Sequence, residues 1–70
     1  MKKITVYEDG KHRRGIPALL VEDTEKYKRV VFTEWGMGED TKEIEGIFKK
    51  YDQGIWYHED TNTFLFERDL

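Results

Sequence analysis

The sequence predicts an α+β fold in which one helix packs on one face of a mostly antiparallel sheet, in the order β-β-β-α-β-β. Three observations support this fold: alternating segments in the first half, one segment with helix signals, and apolar runs near the end. The 70 residues are expected to form a single domain, close to the lower size limit for a hydrophobic core. Without Cys, stabilisation must come from aromatic burial, idealised local structure or oligomerisation, and four Phe, four Tyr and two Trp favour the first.

The first half of the chain predicts three strands. Residues 2–8 alternate apolar and polar side chains, and Asp9-Gly10 is a strong hairpin signal. A second strand is expected over residues 18–21, after Pro17, because proline cannot donate to a strand ladder. Residues 27–34 alternate again and form the third predicted strand.

Residues 40–54 predict the helix. Asp40 is a suitable N-cap residue, and Glu43 would complete a capping box. Gly54 stands where a helix C-terminus favours a left-handed residue. The apolar stripe at helical spacing consists of Ile44, Ile47, Phe48 and Tyr51.

Gly46 is unusual in this predicted helix, because it would face away from the apolar stripe. Glycine there costs ~1 kcal/mol relative to alanine. Either the position tolerates drift, or a partner's backbone packs closely against it. Drift predicts that Gly46→Ala raises the melting temperature and leaves binding unchanged, whereas a contact predicts lost association.

Residues 55–67 predict a final hairpin whose strands are apolar on both faces. This is the strongest indication of an interface in the sequence, although a small barrel would bury the same side chains. Two registers are possible for this hairpin. One places Tyr57 opposite Phe66, and the other places Trp56 opposite Phe66 and His58 opposite Phe64.

Catalysis is not expected. The chain lacks both Ser and Cys, so the usual acyl-transfer nucleophiles are absent. The cluster His58-Glu59-Asp60 would place neighbouring side chains on opposite faces of a strand, so no metal site is predicted. Gly36-Met37-Gly38 lacks the spacing of a phosphate-binding loop. We therefore expect no enzyme activity and no cofactor.

Nucleic-acid binding is the alternative function that the charge pattern suggests. Residues 1–35 carry eight Lys or Arg against six Asp or Glu, and residues 36–70 carry four against nine. A net charge of −3 argues against a nucleic-acid partner, because phosphate contacts dominate such affinity. The residues that would form this site are Lys11, Arg13, Arg14, Lys28 and Arg29.

A protein-binding module is the leading functional prediction. In size and composition the chain resembles the small accessory proteins of phages and mobile elements, which implies a stoichiometric inhibitor or adaptor of a host protein. No motif carries that resemblance. The expected interface residues are Trp56, Tyr57, Trp35 and Gly46, with Arg13 and Arg14 as a charged rim. Self-association is also expected if one face of the sheet stays uncovered.

The expected location is the cytoplasm, without a membrane partner. Lys2 and Lys3 are followed by alternating residues, whereas a signal peptide would have an apolar run there. No apolar segment approaches the length that spans a membrane.

Overall fold

A computed structural model describes residues 1–8, 15–34 and 42–70 of the chain. They form a closed barrel of six antiparallel strands that follow one another around the barrel in chain order. The elements are β1 (Lys2–Glu8), β2 (Gly15–Asp23), β3 (Tyr27–Glu34), β4 (Lys42–Asp52), β5 (Ile55–His58), β6 (Thr63–Phe66) and a 3-10 helix, Glu67–Asp69. The barrel closes where Tyr7 and Glu8 of β1 pair with Phe64 and Thr63 of β6.

The α+β prediction is wrong, because residues 42–52 of the predicted helix form strand β4 and residues 53 and 54 form a turn. Residues 40 and 41 lie outside the described residues. In β4, burial alternates with a period of two: Gly46 and Phe48 are buried, whereas Glu45 and Ile47 between them are exposed. A helical stripe would bury Tyr51, which is 62% exposed. Along residues 42–49 the backbone groups that face β3 are satisfied by pairing with that strand, without helical hydrogen bonds.

The strands predicted over residues 2–8 and 27–34 are confirmed as β1 and β3. Strand β2 begins earlier than expected, at Gly15, and includes Pro17 opposite Thr5 of β1. The predicted Asp9-Gly10 turn lies outside the described residues. Alternation therefore located two strands correctly, whereas proline was an unreliable boundary for the third.

The final hairpin has neither of the two expected pairings. A turn at residues 59–62 connects the strands, and the opposed pairs are Ile55 with Phe66, Trp56 with Leu65, Tyr57 with Phe64, and His58 with Thr63. Tyr57, Phe64 and Phe66 share the outer face, while Trp56 and Leu65 share the inner face. We call the end of the barrel with this turn the upper end.

The core fills the interior of the barrel. Phe32 and Phe48 meet edge to face with their ring centroids 5.7 Å apart. Leu70 packs against the core from the C-terminus. The buried hydrophobic residues are Ile4, Val6, Ile16, Ala18, Leu20, Val30, Phe32, Phe48, Trp56 and Leu65. Since the strands close around these side chains, the outer wall is the surface that can meet another molecule.

Candidate binding surface

Three aromatic side chains form a continuous patch on the outer wall, which we call the outer aromatic cluster: Tyr51, Tyr57 and Phe64. The Tyr57 and Phe64 ring centroids are 4.7 Å apart, and Tyr51 lies 5.2 Å from Tyr57 and 5.6 Å from Phe64. Tyr57 also donates a hydrogen bond of 2.6 Å from its hydroxyl to Asn62 Oδ1. The cluster is thus an ordered apolar surface, with Tyr51 its most exposed member.

The cluster arises from strand alternation and cross-strand pairing. Tyr57 and Phe64 are directly opposed on β5 and β6, so their rings meet on the same face. Tyr51 joins them from β4, at a register shift between Lys50 and Asp52.

A second aromatic pair extends this surface toward β1. The Tyr7 and Phe66 rings meet edge to face at 5.5 Å, and the Arg68 guanidinium lies 5.0 Å from the centroid of Phe66. A Cβ atom at Gly15 would lie 3.5 Å from the Tyr7 ring and 3.1 Å from the Thr5 side chain. Glycine at this position therefore leaves room for the Thr5 side chain, whereas the Tyr7 ring would be in ordinary van der Waals contact with such an atom.

A groove of about 390 Å³ lies beside the outer aromatic cluster, between β4 and the turn at residues 59–62. Ile47, Tyr51 and Tyr57 supply its apolar lining, and Glu59 and Asp60 lie at its upper edge. Such a combination of apolar surface and charged edge is typical of sites that bind another molecule.

The charged residues around the groove differ in whether they contact an oppositely charged group or a ring. Glu45 lies 3.5 Å from the guanidinium of Arg29, and the Lys50 ammonium is turned toward the Trp56 ring, 5.9 Å from its centroid. Glu59 and Asp60 are exposed, and within the described part of the chain neither forms an ion pair. The upper edge therefore carries two carboxylates outside any ion pair described, while the ammonium groups of Lys49 and Lys50 also line the groove.

His58 closes the upper part of the barrel beside Gly46. Its ring stacks on Phe48 with centroids 5.4 Å apart and meets the edge of Phe32 at 5.8 Å. Its Nδ1 atom is hydrogen-bonded to the hydroxyl of Thr61 at 2.7 Å. A Cβ atom at Gly46 would lie only 3.0 Å from His58 Nε2. The missing side chain of Gly46 thus makes room for the imidazole.

The structure separates the residues that the sequence suggested for a protein interface. Tyr57 lies in the outer aromatic cluster, but Trp56 is 2% exposed, and its Nε1 donates a hydrogen bond of 3.3 Å to Glu67. Gly46 is buried against His58, so its prediction as an outward position is corrected. Trp35, Arg13 and Arg14 lie outside the described residues.

The proposed nucleic-acid residues that can be described are already engaged. Lys28 is 7% exposed. Its ammonium donates hydrogen bonds to the Asp23 carboxylate and, at 2.7 Å, to the Thr24 carbonyl. The same ammonium lies 4.4 Å from the Trp56 ring centroid. Arg29 contacts carboxylates on two neighbouring strands, Glu22 and Glu45. Lys11, Arg13 and Arg14 lie outside the described residues.

Lys28 is therefore expected to contribute to stability. We expect Lys28→Ala to lower the free energy of unfolding by about 1–2 kcal/mol, because it removes charge-assisted hydrogen bonds at a buried site. Arg29→Ala is the matched control, with an expected loss below about 1 kcal/mol because its ion pairs are exposed. Urea unfolding measures both changes, and equal effects would contradict a structural role specific to Lys28.

Tyr27 is the described residue whose pKa departs clearly from its ordinary value. A hydrogen bond from its phenol to the Glu22 carboxylate raises the pKa above 10.0; loss of solvent and the negative charge of Glu22 act in the same direction, and Arg29 opposes them. The folded state therefore favours the neutral phenol. This stabilisation is fully present below pH 10.0 and is lost as the pH rises through the raised pKa of the folded state.

Replacing Tyr27 with phenylalanine is expected to weaken the alkaline loss of stability. The wild-type free energy of unfolding should fall more steeply than that of Tyr27→Phe once the pH exceeds about 10. Urea unfolding of both proteins across this range measures the difference. Parallel pH profiles would show that the hydrogen bond to Glu22 does not favour the neutral phenol.

Sequence reasoning missed Phe64 and Tyr51 as surface residues. Tyr51 was assigned to the buried stripe of the predicted helix, because it lies seven residues after Ile44. Phe64 belongs to the hairpin that is apolar on both faces, and that pattern was the available signal for an outer apolar surface.

No family model, curated protein or solved structure matches this chain. Among residues 1–8, 15–34 and 42–70, no helix has the length and apolar character that crossing a membrane requires. The same ranges contain no group of three or more His, Cys, Asp or Glu side chains placed to hold a metal ion. The candidate function therefore depends on the chemistry of the outer wall.

Proposed function

We propose that this protein is a non-catalytic binding module that acts stoichiometrically on a partner protein through the outer aromatic cluster. The observation that carries the proposal is the packing of Tyr51, Tyr57 and Phe64 into one ordered patch beside a groove. Ordered aromatic side chains contribute large contact areas and lose little conformational entropy on binding, which makes them effective anchors.

A protein partner fits the charges better than a nucleic acid does. The carboxylates of Glu59 and Asp60 lie at the edge of the groove and would repel phosphates. The cationic groups of Lys28 and Arg29 already contact carboxylates of the same chain. Nucleic-acid binding through Lys11, Arg13 and Arg14 stays the alternative prediction, since these residues lie outside the described ranges.

The finer parts of the proposal rest on composition. The small size of the chain and its content of charged and aromatic residues support the role of an inhibitor or adaptor of a host protein, as in phage accessory proteins. The absence of Ser and Cys supports a non-catalytic role. A cytoplasmic location stays a prediction. Self-association through the outer wall also stays a prediction.

Tyr51→Ala is expected to abolish partner capture while the fold is retained. Tyr51 is 62% exposed, so its truncation should change the free energy of unfolding by less than about 1 kcal/mol. If Tyr51 is an interface anchor, the same change should weaken binding by about 2 kcal/mol or more, a factor of about 30. The measurement is capture from nuclease-treated lysate of the native host, at two salt concentrations.

Val21→Ala serves as the control in this experiment, because Val21 is an exposed apolar residue on β2, outside the cluster. One protein retained in near-stoichiometric amount by wild type and Val21→Ala, but lost with Tyr51→Ala, is the expected result. Equal capture by all three proteins would reject the outer aromatic cluster as the binding surface. Retention that occurs only in lysate without nuclease treatment, or only at the lower salt concentration, would favour the nucleic-acid alternative.

A further inference from the structure

Strand β4 is paired unevenly on its two edges. Strand β3 pairs with it from Lys42 to Lys49, whereas β5 pairs with it only from Lys49 to Asp52. Residues 42–48 of β4 therefore pair, among the described residues, with β3 alone. The reason is length: β5 ends at His58, and the chain turns into β6 before reaching the upper half of β4. A strand edge in this state presents free backbone donors and acceptors.

The groove lies beside this edge, which pairs with no strand in the described part of the chain. Glu45 and Ile47, which pair with β3 on their other side, form part of its lining, together with Glu59 and Asp60 of the β5–β6 turn. The lining carries three carboxylates and two lysine ammonium groups, a net charge of −1. The site combines a template for strand addition, an apolar lining and an excess of negative charge.

We propose that the groove binds an extended, arginine-containing segment of the partner protein, which adds to the free edge of β4 as a strand. The proposal rests on the binding function proposed above and specifies the chemistry of the partner. Strand addition supplies main-chain hydrogen bonds, while alternate side chains supply specificity. Arginine suits this site because its planar guanidinium both stacks on tyrosine rings and binds carboxylates.

Alternation in the added strand would separate its two sets of side chains. Residues on one face point outward, where the Tyr51 and Tyr57 rings and the carboxylates of Glu59 and Asp60 line the groove. Residues on the other face point toward the seam that His58 fills beside Gly46. The preferred segment therefore alternates arginine with a small apolar residue such as valine.

The probe is a fluorescent peptide of about six residues, the usual length of a strand, that alternates arginine and valine. Fluorescence anisotropy with the full chain is expected to show saturable binding, and a peptide with glutamine in place of arginine should bind at least about tenfold more weakly. Combining Glu59→Gln with Asp60→Asn should cause a similar loss. Combining Glu8→Gln with Glu25→Gln makes the same change in net charge at exposed residues outside the groove, and should leave affinity unchanged.

Two N-methylated peptides test the strand geometry. An antiparallel edge bonds to the backbone of every second residue, so methylating one alternate set of peptide amides should abolish binding and methylating the other set should not. Equal binding by both peptides would overturn strand addition. If a single-stranded oligonucleotide displaced the peptide, the occupant of the groove would be a nucleic acid and the proposal would be overturned. If the protein had the solution mass of a dimer until peptide was added, the occupant would be a second copy of this chain.

The peptide assay and the capture assay can fail separately. Partner capture that depends on Tyr51, together with no binding of the arginine peptide, would overturn this inference and leave the proposed function standing. Peptide binding that is insensitive to Glu59→Gln with Asp60→Asn would overturn the assignment of the groove, because the charge that selects arginine would then lie elsewhere.

Discussion

Gly46→Val is expected to lower the free energy of unfolding by about 2–3 kcal/mol, in the upper part of the range for overpacked cores. The added Cβ alone would lie 3.0 Å from His58 Nε2, 3.1 Å from His58 Cδ2 and 3.1 Å from Phe32 Cε1. The imidazole cannot move away easily, because it stacks on Phe48 and is hydrogen-bonded to Thr61. The gain of β propensity over glycine, up to ~1 kcal/mol, offsets only part of this cost.

The measurement is urea unfolding of wild type, Gly46→Ala and Gly46→Val, together with the double variant Gly46→Val/His58→Ala. Destabilisation should increase from alanine to valine, and removing the imidazole should recover part of the loss because it removes the closest atoms. A helix with an outward Gly46 predicts the opposite sign for alanine, namely a higher melting temperature. A stabilised Gly46→Ala protein would therefore contradict the barrel interior at this position.

The segment around Gly46 also shows why the fold class was predicted incorrectly. From Ile44 to Phe48 the sequence fits both a period of 3.6 and a period of 2, since Ile44 and Phe48 fall on one face in either structure. The local helix signals at Asp40 and Glu43 favoured the helix. Pairing with β3 outweighs such local preferences, and this pairing partner lies outside the segment whose local signals predicted the helix.

The candidate site was predictable only in part, for a related reason. Tyr57 was identified because it is an aromatic residue in an apolar hairpin. The same criterion selected Trp56, its neighbour on the opposite face of the strand. The face that is buried depends on the register of the final hairpin, and the register depends on closure of the barrel with β1. The groove depends on the different lengths of β4 and β5, which the predicted helix concealed.

Trp56→Ala is expected to cause the largest loss of stability, about 3–5 kcal/mol. Trp56 is 2% exposed, donates a hydrogen bond to Glu67 and packs beneath the ammonium of Lys28, so alanine would leave a large cavity and remove both contacts. Small domains are stable by only about 5–15 kcal/mol, so this variant is expected to be partly unfolded at room temperature. Trp56→Phe, with an expected loss of about 1–3 kcal/mol, keeps the measurement possible in a folded protein.

Tyr57→Ala is the matched control, because Tyr57 is the next residue on β5 and faces the outer wall. Its expected cost is about 1 kcal/mol, from lost packing in the outer aromatic cluster. Urea unfolding and partner capture should then separate the two neighbours: Trp56→Phe lowers stability and, while folded, retains capture, whereas Tyr57→Ala retains most stability and loses capture. If Trp56→Phe stayed fully stable but lost its partner, Trp56 would be an interface residue as the sequence first suggested, and the inner and outer faces of β5 would have to be exchanged.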